Sequence, residues 1–294
     1  MEDAPPVEFP APFRVRAFHD VAYHVAGICN PVLYPGYRTH AMVPAPVAYL
    51  GHLRRFALSP WWRRRDARIV RRLGSGRHQC FVLPLQLDSD AQIREHSHFS
   101  GMEEVIRLVM ASFAAHAPRD SRLVVKNHPL DTGLRGHAAT ISTLASSLGV
   151  LGRVDYLETG DLGEVLAQAR GVVTVNSTAG GVALSLDLPT KALADPIYNI
   201  PGLTFSGSLD SFWHEGTPPD PELFQCFRAV VRHAALVNGG FYNAMGIALA
   251  VRSASRLIAA PESPLDLLLR RFPVSAPAQD AMRRKGGTTC QTRT

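Results

Sequence analysis

Two clusters of polar residues follow two short apolar runs near the middle of the chain. The runs, FVLPL at residues 81–85 and RLVV at residues 122–125, are typical of buried strands. Open parallel sheets bind ligands beyond the carboxyl ends of their strands, so the clusters predict one site built from neighbouring loops. The first cluster contains Gln86, Asp88, Asp90, Gln92, His96 and Ser97, and the second contains Lys126, Asn127, His128 and Asp131.

The QLDSD segment after the first run carries two carboxylates. Asp88 and Asp90 lie on the same face if the chain stays extended there. A carboxylate at a strand end suits a nucleophile, a general base or a metal ligand. His96 and His98 follow, but their spacing is not that of a metal site, and for Asp88 a turn residue is the favoured interpretation.

The KNHP segment after the second run carries two candidate donors. Lys126 supplies a point charge for a phosphate or carboxylate, and His128 can donate to the same groups or move a proton. Pro129 lacks a backbone N–H and stiffens the exit from the strand. The alternative is a histidine held by its local backbone.

The NSTAGG segment, residues 176–181, predicts an anion site at the start of a helix. Its hydroxyls and free backbone N–H groups suit a phosphate, and Gly180 and Gly181 allow a ligand or another backbone to approach. The alternative is a helix cap with tight packing. Neither a Walker loop nor a GxGxxG fingerprint is present.

Regular alternation of strand and helix patterns from Cys80 onwards predicts an α/β fold with a parallel, right-handed, doubly wound sheet. The predicted strands are 81–85, 122–126, 154–157, 171–175 and 189–193, with helices near 101–116, 136–148, 161–169 and 176–186 between them.

The flanking sequence divides the chain into three predicted regions. They are a mostly helical part at 1–78, a Rossmann-like domain with C-terminal helices at 79–272, and a disordered basic tail at 273–294. Further predictions are helices near 13–27, 47–57, 60–73, 219–237 and 241–260, and loops at 30–40 and 194–218.

Composition limits the class of protein. The 294 residues are 46% hydrophobic, without a run of the ~18 apolar residues that a membrane span needs. The acidic, Pro-rich start is not typical of a signal or transit peptide, and four scattered cysteines fit a reducing compartment. The net charge of +6 includes a basic segment at 61–77, which suits an anionic partner or is a solvated helix face. No nucleic-acid recognition motif accompanies it.

The order of five motifs resembles the capsular polysaccharide biosynthesis and export family over about residues 31–245. The motifs are PLQLDSDAQIREHS, SFAAHAP, LVVKNHPLD, VVTVNSTAGGVAL and GLTFSGSLDSFW. The resemblance implies a GT-B-like glycosyltransferase of two Rossmann-type domains. In this chain one such domain is complete, and the short, mostly helical amino-terminal part is expected to be a truncated remnant on the acceptor side.

The resemblance also implies a donor and an acceptor. Characterised members are similar to retaining β-Kdo transferases, which transfer Kdo from CMP-β-Kdo to a phosphatidylglycerol-type lipid at the inner face of the cytoplasmic membrane. We therefore expect a cytoplasmic protein, peripheral on that membrane, with capsule assembly or export proteins as further partners and with no metal cofactor. The alternative is an inactive nucleotide-binding or interaction module of a capsule export complex.

Site residues follow from the resemblance position by position. Lys126, His128 and Pro129 match the family's His-Pro motif for the cytidine nucleotide. A Ser/Thr motif for the donor phosphate or carboxylate matches Asn176, Ser177 and Thr178.

The catalytic assignment also follows from the resemblance. Gln86 and Asp90 match a Gln-x-x-x-Asp pattern, in which Asp90 is expected to act as the nucleophile. It would form a covalent Kdo–enzyme intermediate, and double displacement would retain the stereochemistry. His96 and Asp88 are the candidates for the acid/base residue.

Overall fold

A five-stranded parallel sheet lies at the centre of the part of the chain that the structure describes. The computed structural model describes residues 9, 13–27, 30–36, 43–76 and 79–273. Its strands are β1 (Cys80–Pro84), β2 (Arg122–Lys126), β3 (Val154–Leu157), β4 (Gly171–Thr174) and β5 (Thr190–Ala192).

The strand order is β3-β2-β1-β4-β5, and every neighbouring pair is parallel. The chain proceeds outwards from β1 through β2 and β3, and then on the other side through β4 and β5. The order therefore reverses between β1 and β4, which is the position where open α/β sheets form a ligand crevice. The predicted α/β class with one complete Rossmann-like parallel sheet is confirmed.

Helices cover both faces of the sheet, as parallel strands with buried faces require. One face packs against α5, α6 and α9, and the other against α3, α7 and α8. In chain order the helices are α1 (Phe13–Ala26), α2 (Asn30–Leu33), α3 (Ala45–Leu73), α4 (Ala91–Arg94), α5 (Met102–His116), α6 (His137–Ser147), α7 (Leu162–Leu166), α8 (Thr178–Ser185), α9 (Leu209–Glu215), α10 (Pro221–Val230), α11 (Ala244–Ala259) and α12 (Pro264–Arg271).

Helix α3 corrects the prediction of two separate helices at 47–57 and 60–73. It is one helix of 29 residues that contains Pro60. Proline cannot donate to the carbonyl four residues earlier, which is that of Phe56. The hydroxyl of Ser59 donates to that carbonyl at 2.9 Å, so the acceptor keeps a partner and the helix continues.

Helix α9 corrects the prediction of an unstructured loop over 194–218. Ser208 begins it by accepting a hydrogen bond from the backbone N–H of Ser211 at 3.1 Å. Trp213 then anchors it, with its fully buried ring edge-on to Phe81 at 5.1 Å between centroids. The indole N–H donates to Ser112 Oγ at 2.8 Å, which satisfies the only polar group of the side chain.

The chain divides into two compact units, and their limits differ from the predicted regions. The unit with the sheet extends over Tyr37–Gln225 and therefore includes α3, whose Leu73 belongs to the core on one face of the sheet. The other unit combines Met1–Gly36 with Cys226–Thr294. The predicted tail lies outside the described residues except for its first residue.

The second unit contains helices that the sequence predicted in part. The predicted helices near 13–27 and 241–260 are present as α1 and α11, and α12 was not predicted. Asn243 caps α11 by accepting from Gly246 N at 2.6 Å, and Ser263 caps α12 by accepting from Asp266 N at 3.1 Å. No helix in the described ranges is both long and apolar enough to cross a bilayer.

Candidate functional site

Gln86 and Asn176 join the ends of β1 and β4, where the strand order reverses. Both side chains are buried, and Gln86 Nε2 donates to Asn176 Oδ1 at 3.0 Å. Asn176 Nδ2 then donates to the backbone carbonyls of Gln92 at 2.6 Å and His96 at 3.1 Å. These two predicted site residues are therefore positioned to hold the loop after β1, with their polar atoms directed at protein partners.

Asp88 and Asp90 both cap helices, and they differ in how many partners they have. Asp90 begins α4 by accepting from the backbone N–H of Gln92 at 2.9 Å. Asp88 Oδ1 accepts from the backbone N–H of Met102, the first residue of α5, at 2.7 Å. Asp88 Oδ2 pairs with Arg135 Nε at 3.2 Å, so both of its oxygens are occupied. Asp90 Oδ2 has no hydrogen-bond partner among the described residues, and Asp90 is the carboxylate available for chemistry.

His128 is held in one ring orientation by its own loop. Its Nδ1 accepts a hydrogen bond from the backbone N–H of Leu130 at 3.1 Å, and its backbone N–H donates to Asn127 Oδ1 at 2.8 Å. An Nδ1 that accepts leaves the proton of the neutral ring on Nε2. Burial lowers the pKa of His128, and the charges of Asp131 and Asp90 oppose that shift. The half-buried ring therefore presents a neutral Nε2–H donor at this edge of the sheet.

Lys126 lies inside the protein, whereas the sequence suggested a point charge available to a phosphate or carboxylate. It is 5% exposed, and its ammonium donates to the carbonyl of Asn127 at 3.0 Å. Burial lowers the pKa of Lys126, while the carboxylates of Asp66 and Glu158 oppose the shift. In this position Lys126 supports the KNHP loop. Its ammonium group also contributes positive electrostatic potential to the edge of the sheet.

Arg55 of α3 holds the loops after β2 and β3 together, and sequence reasoning missed it. Its Nη1 donates to the backbone carbonyls of His128, at 3.4 Å, and Asp131. Its Nη2 donates to the carbonyl of Glu158 at 3.2 Å and approaches the carboxylate of the same residue at 3.5 Å. Its side chain is only 12% exposed. One guanidinium thus fixes the loop that carries His128.

Asp66 extends the same contact between α3 and the loops. It is 1% exposed and accepts from the backbone N–H and the hydroxyl of Thr159, both at 2.8 Å. A signal for both residues was present, because Arg55 and Asp66 share a helical face with Ile69 and Leu73, which pack in the core. A charge within such an apolar stripe indicates a buried partner.

The NSTAGG segment forms the start of α8. Ser177 caps the helix by accepting from Ala179 N at 3.1 Å, and the hydroxyl of Thr178 is exposed. Gly180 is needed for a protein contact, since an added Cβ would lie 2.3 Å from Tyr198 Oη. The hydroxyl of Tyr198 donates to the carbonyl of Ser177. A Cβ at Gly181 would meet no atom within 4 Å, so that side of the helix start is open.

The remaining predicted residues lie at the surface of the same edge. The ring of His96 is exposed, and only its backbone carbonyl is used, as the acceptor for Asn176. Pro129 is exposed directly after His128. Within the described ranges, no three His, Cys, Asp or Glu side chains gather closely enough to hold a metal ion. The expectation of a metal-free site stays a prediction.

The arrangement defines a Rossmann-like α/β domain with a candidate site at its switch point. Four groups there remain accessible to a ligand: the carboxylate of Asp90, the Nε2–H of His128 and the hydroxyls of Ser177 and Thr178. They combine a nucleophile or base with neutral donors for an anionic ligand.

Comparison with known proteins shows the family. The model of a family described as "Capsule polysaccharide biosynthesis protein" matches residues 2–242. The chain is 34% identical to the capsule polysaccharide modification protein LipB of Neisseria meningitidis serogroup B over 242 residues, which is 79% of this chain and 56% of that protein. It is 32% identical to the capsule polysaccharide export protein KpsS of Escherichia coli, over 77% of this chain and 59% of that protein. The chain belongs to the capsule polysaccharide biosynthesis family.

Two solved structures are similar in part. One is the β Kdo 2,7 transferase KpsC of Thermosulfurimonas dismutans, at 18% identity and a TM-score of 0.32, covering 65% of this chain and 68% of that one. The other is WaaG, a glycosyltransferase involved in lipopolysaccharide biosynthesis, at 19% identity and a TM-score of 0.33, covering 63% of this chain and 50% of that one. At these scores the family assignment rests on the sequence matches alone. The chain spans just over half the length of the curated relatives it matches.

Proposed function

We propose that this chain carries the donor site of a retaining glycosyltransferase that transfers β-Kdo from CMP-β-Kdo to a lysophosphatidylglycerol-type lipid during synthesis of the capsule linker. Membership of the capsule family supports the pathway. The observation that carries the proposal is that Asp90 and His128 follow the neighbouring parallel strands β1 and β2 at the same edge of the sheet. Asp90 has one carboxylate oxygen without a hydrogen-bond partner among the described residues, and the ring of His128 is held in one orientation by the N–H of Leu130.

Each group at the edge has a role in this proposal. The Nε2–H of His128 donates to the donor's phosphate or cytidine, and Ser177 and Thr178 donate to the phosphate or to the sugar carboxylate. Lys126 contributes potential from beneath the loop, and Pro129 keeps the loop stiff.

Asp90 performs the chemistry. Its Oδ2 attacks the anomeric carbon, the bond from that carbon to the CMP oxygen breaks, and CMP leaves with the electron pair. An acceptor hydroxyl then attacks the Kdo–Asp90 ester, loses its proton to a base and releases the carboxylate. Two displacements give retention. His96 is the candidate base, since its exposed ring lies on the loop that follows Asp90.

The exposed face of α3 suits the lipid side of this reaction. Its residues up to Trp61 expose large apolar side chains, and the residues after Trp61 expose arginines. An apolar surface followed by cations suits binding to an anionic bilayer, where each basic residue contributes about 1 kcal/mol to the free energy of binding. The apolar residues are Leu50, Leu53, Phe56 and Trp61, and the arginines are Arg63, Arg64, Arg68 and Arg71.

The second candidate function is a nucleotide-binding module without turnover. The observation that favours it is that Gln86, Asn176 and Lys126 direct their polar atoms at protein partners and not at open space. Capsule assembly or export partners would then supply the acceptor side of the site.

Turnover separates the two functions. The chain is incubated with CMP-β-Kdo and lysophosphatidylglycerol, and the products are read by mass spectrometry. The proposal predicts a Kdo-lipid product from the parent chain and none from Asp90→Asn, because asparagine caps a helix equally well but is a poor nucleophile. CMP binding by the parent without product or adduct supports the inactive module.

Asp220→Asn is the matched control. Asp220 also caps a helix, by accepting from the backbone N–H of Glu222 at 2.9 Å, and lies outside the loops that carry the site. The control should keep full transfer. Equal loss of transfer in both variants would count against a chemical role for Asp90.

A further inference from the structure

A polar cavity of about 310 Å³ lies between the loops that follow β1 and β2. The same two loops carry Asp90 and His128. The wall of the cavity contains only polar side chains and one glycine. The residues are Asp88, Arg94, Ser100, Gly101, Glu103, Glu104, Arg135 and His137.

Every carboxylate in the wall already has a protein donor. Asp88 is occupied by the N–H of Met102 and by Arg135. Glu103 pairs with Arg107 at 2.6 Å. Glu104 accepts from the backbone N–H and the hydroxyl of Ser100, at 2.8 and 2.9 Å. The acceptors of the cavity are therefore satisfied internally.

The donors in the wall are not satisfied in the same way. Arg135 uses only Nε toward Asp88, and its terminal nitrogens have no hydrogen-bond partner among the described residues. Arg94 approaches only Glu95, at 3.7 Å, which is too long for a hydrogen bond. His137 is 7% exposed, and its ring makes no hydrogen bond with a described residue. Neither ring nitrogen is enclosed, so the imidazole is open to a ligand from the cavity.

We infer that the cavity binds the oxyanion of a polyhydroxylated ligand, through Arg94, Arg135 and His137. The two guanidinium groups hold a carboxylate or phosphate, as their planar donors suit either. A hydroxyl group of the ligand donates to Ser100 Oγ, whose own proton is given to Glu104. The inference rests on the proposed function, which provides two sources for that oxyanion. One is the sugar carboxylate of the donor, and the other is the phosphate of the acceptor headgroup.

Calorimetric titration tests the inference with defined probes. Free Kdo stands for the donor sugar, sn-glycerol 3-phosphate stands for the acceptor headgroup, and glucose is the neutral probe. At least one anionic probe should bind the parent chain, and glucose should bind at least tenfold more weakly. Binding of Kdo identifies the donor carboxylate as the source of the oxyanion, and binding of glycerol phosphate identifies the acceptor phosphate as the source. Equal affinity for glucose, or no binding of either anion, would overturn the inference.

Variants locate the binding. Arg94 is exposed, so Arg94→Gln should fold normally. It should weaken binding of the anionic probe at least fivefold. Arg135→Gln should do the same if it folds, although it also removes the partner of Asp88. The matched control is Arg119→Gln, an exposed arginine that does not line the cavity. Binding unchanged in Arg94→Gln would place the anion elsewhere and refute the site.

CMP titration separates this inference from the proposed function. Arg94→Gln should keep parental affinity for CMP, because the nucleotide is proposed to contact His128. If the parent binds an anionic probe in the cavity but does not bind CMP, the anion site is supported and the proposed CMP-sugar donor is refuted. If it binds CMP but neither anionic probe, the donor site stands and the cavity fails.

Discussion

The side-chain amide of Gln86 donates to the side-chain carbonyl of Asn176 at 3.0 Å, across 90 positions of sequence. This buried hydrogen bond joins the ends of β1 and β4 at the reversal of strand order. Through its own amide, Asn176 then holds the carbonyls of Gln92 and His96. The loop that presents Asp90 is thus fixed by a residue of another strand end.

Replacing Asn176 should therefore destabilise the protein. Asn176→Ala leaves Gln86 and two backbone carbonyls without their partner, and each unsatisfied buried group costs about 1–3 kcal/mol. We expect a loss of at least about 2 kcal/mol in the free energy of unfolding, measured with urea. Gln92→Ala removes only an exposed side chain and should stay within about 0.5 kcal/mol of the parent. Equal stability of the two variants would contradict the role of Asn176.

Arg55 should matter for stability more than its neighbour in the same helix. Arg55→Met removes the donors to the loops after β2 and β3, and hydrogen bonds to a charged group contribute about 1.5–3 kcal/mol each. We expect a lower melting temperature and weaker binding of CMP, because the loop with His128 loses its anchor. The exposed Arg54, changed to Met, is the control and should behave as the parent does. A similar effect of both changes would indicate general loss of charge.

Replacing each of the two adjacent glycines of α8 with alanine should change the free energy of unfolding in opposite directions. Gly180→Ala places a Cβ against the buried ring of Tyr198, with the nearest atom at 2.3 Å, and should cost about 1–3 kcal/mol. Gly181→Ala enters open space and should stabilise the helix by about 0.5–1 kcal/mol. The two unfolding free energies, measured under the same conditions, should lie on either side of the parental value. A loss at Gly181 equal to that at Gly180 would argue against this packing.

The pH dependence of stability should contain a contribution from His128. Because its pKa is lowered in the folded protein, the unfolded chain takes up a proton first as pH falls below about 6.5. Its contribution is therefore present above pH 6.5 and is lost as pH falls through the folded pKa. His128→Gln should make the unfolding free energy less dependent on pH between 7 and 5. An NMR titration of the parent should give a pKa for this ring below 6.5, and a higher value would contradict the assignment.

The strands could be predicted from sequence because their signal is local. Apolar runs such as FVLPL and GVVTV produce strands that are buried throughout, and polar clusters mark their carboxyl ends. Those features were enough to predict the parallel sheet and the edge that carries Asp90 and His128.

The roles of individual side chains could not be predicted, because they depend on distant partners. The hydrogen bond between Gln86 and Asn176 leaves no local pattern. The position of Arg55 on an apolar helix face indicates a buried partner, but it does not identify the KNHP loop as that partner. The burial of Lys126 follows from the packing of α3 against the sheet edge, which strand and helix patterns do not reveal. Helix α3 continues through Pro60 against the general tendency of proline to end a helix, and the hydroxyl of Ser59 there donates to the carbonyl that Pro60 leaves without a backbone donor.

Isothermal titration of CMP into the parent chain, His128→Gln and His98→Gln tests whether a CMP-sugar site lies at this edge of the sheet. The ring of His98 is exposed and stacks on Phe99, so its replacement is a control for loss of a histidine near the same edge. We expect saturable binding of one CMP by the parent, an affinity at least tenfold weaker in His128→Gln, and parental affinity in His98→Gln. No saturable binding by the folded parent, or equal affinity in all three proteins, would contradict a CMP-sugar site at this edge of the sheet.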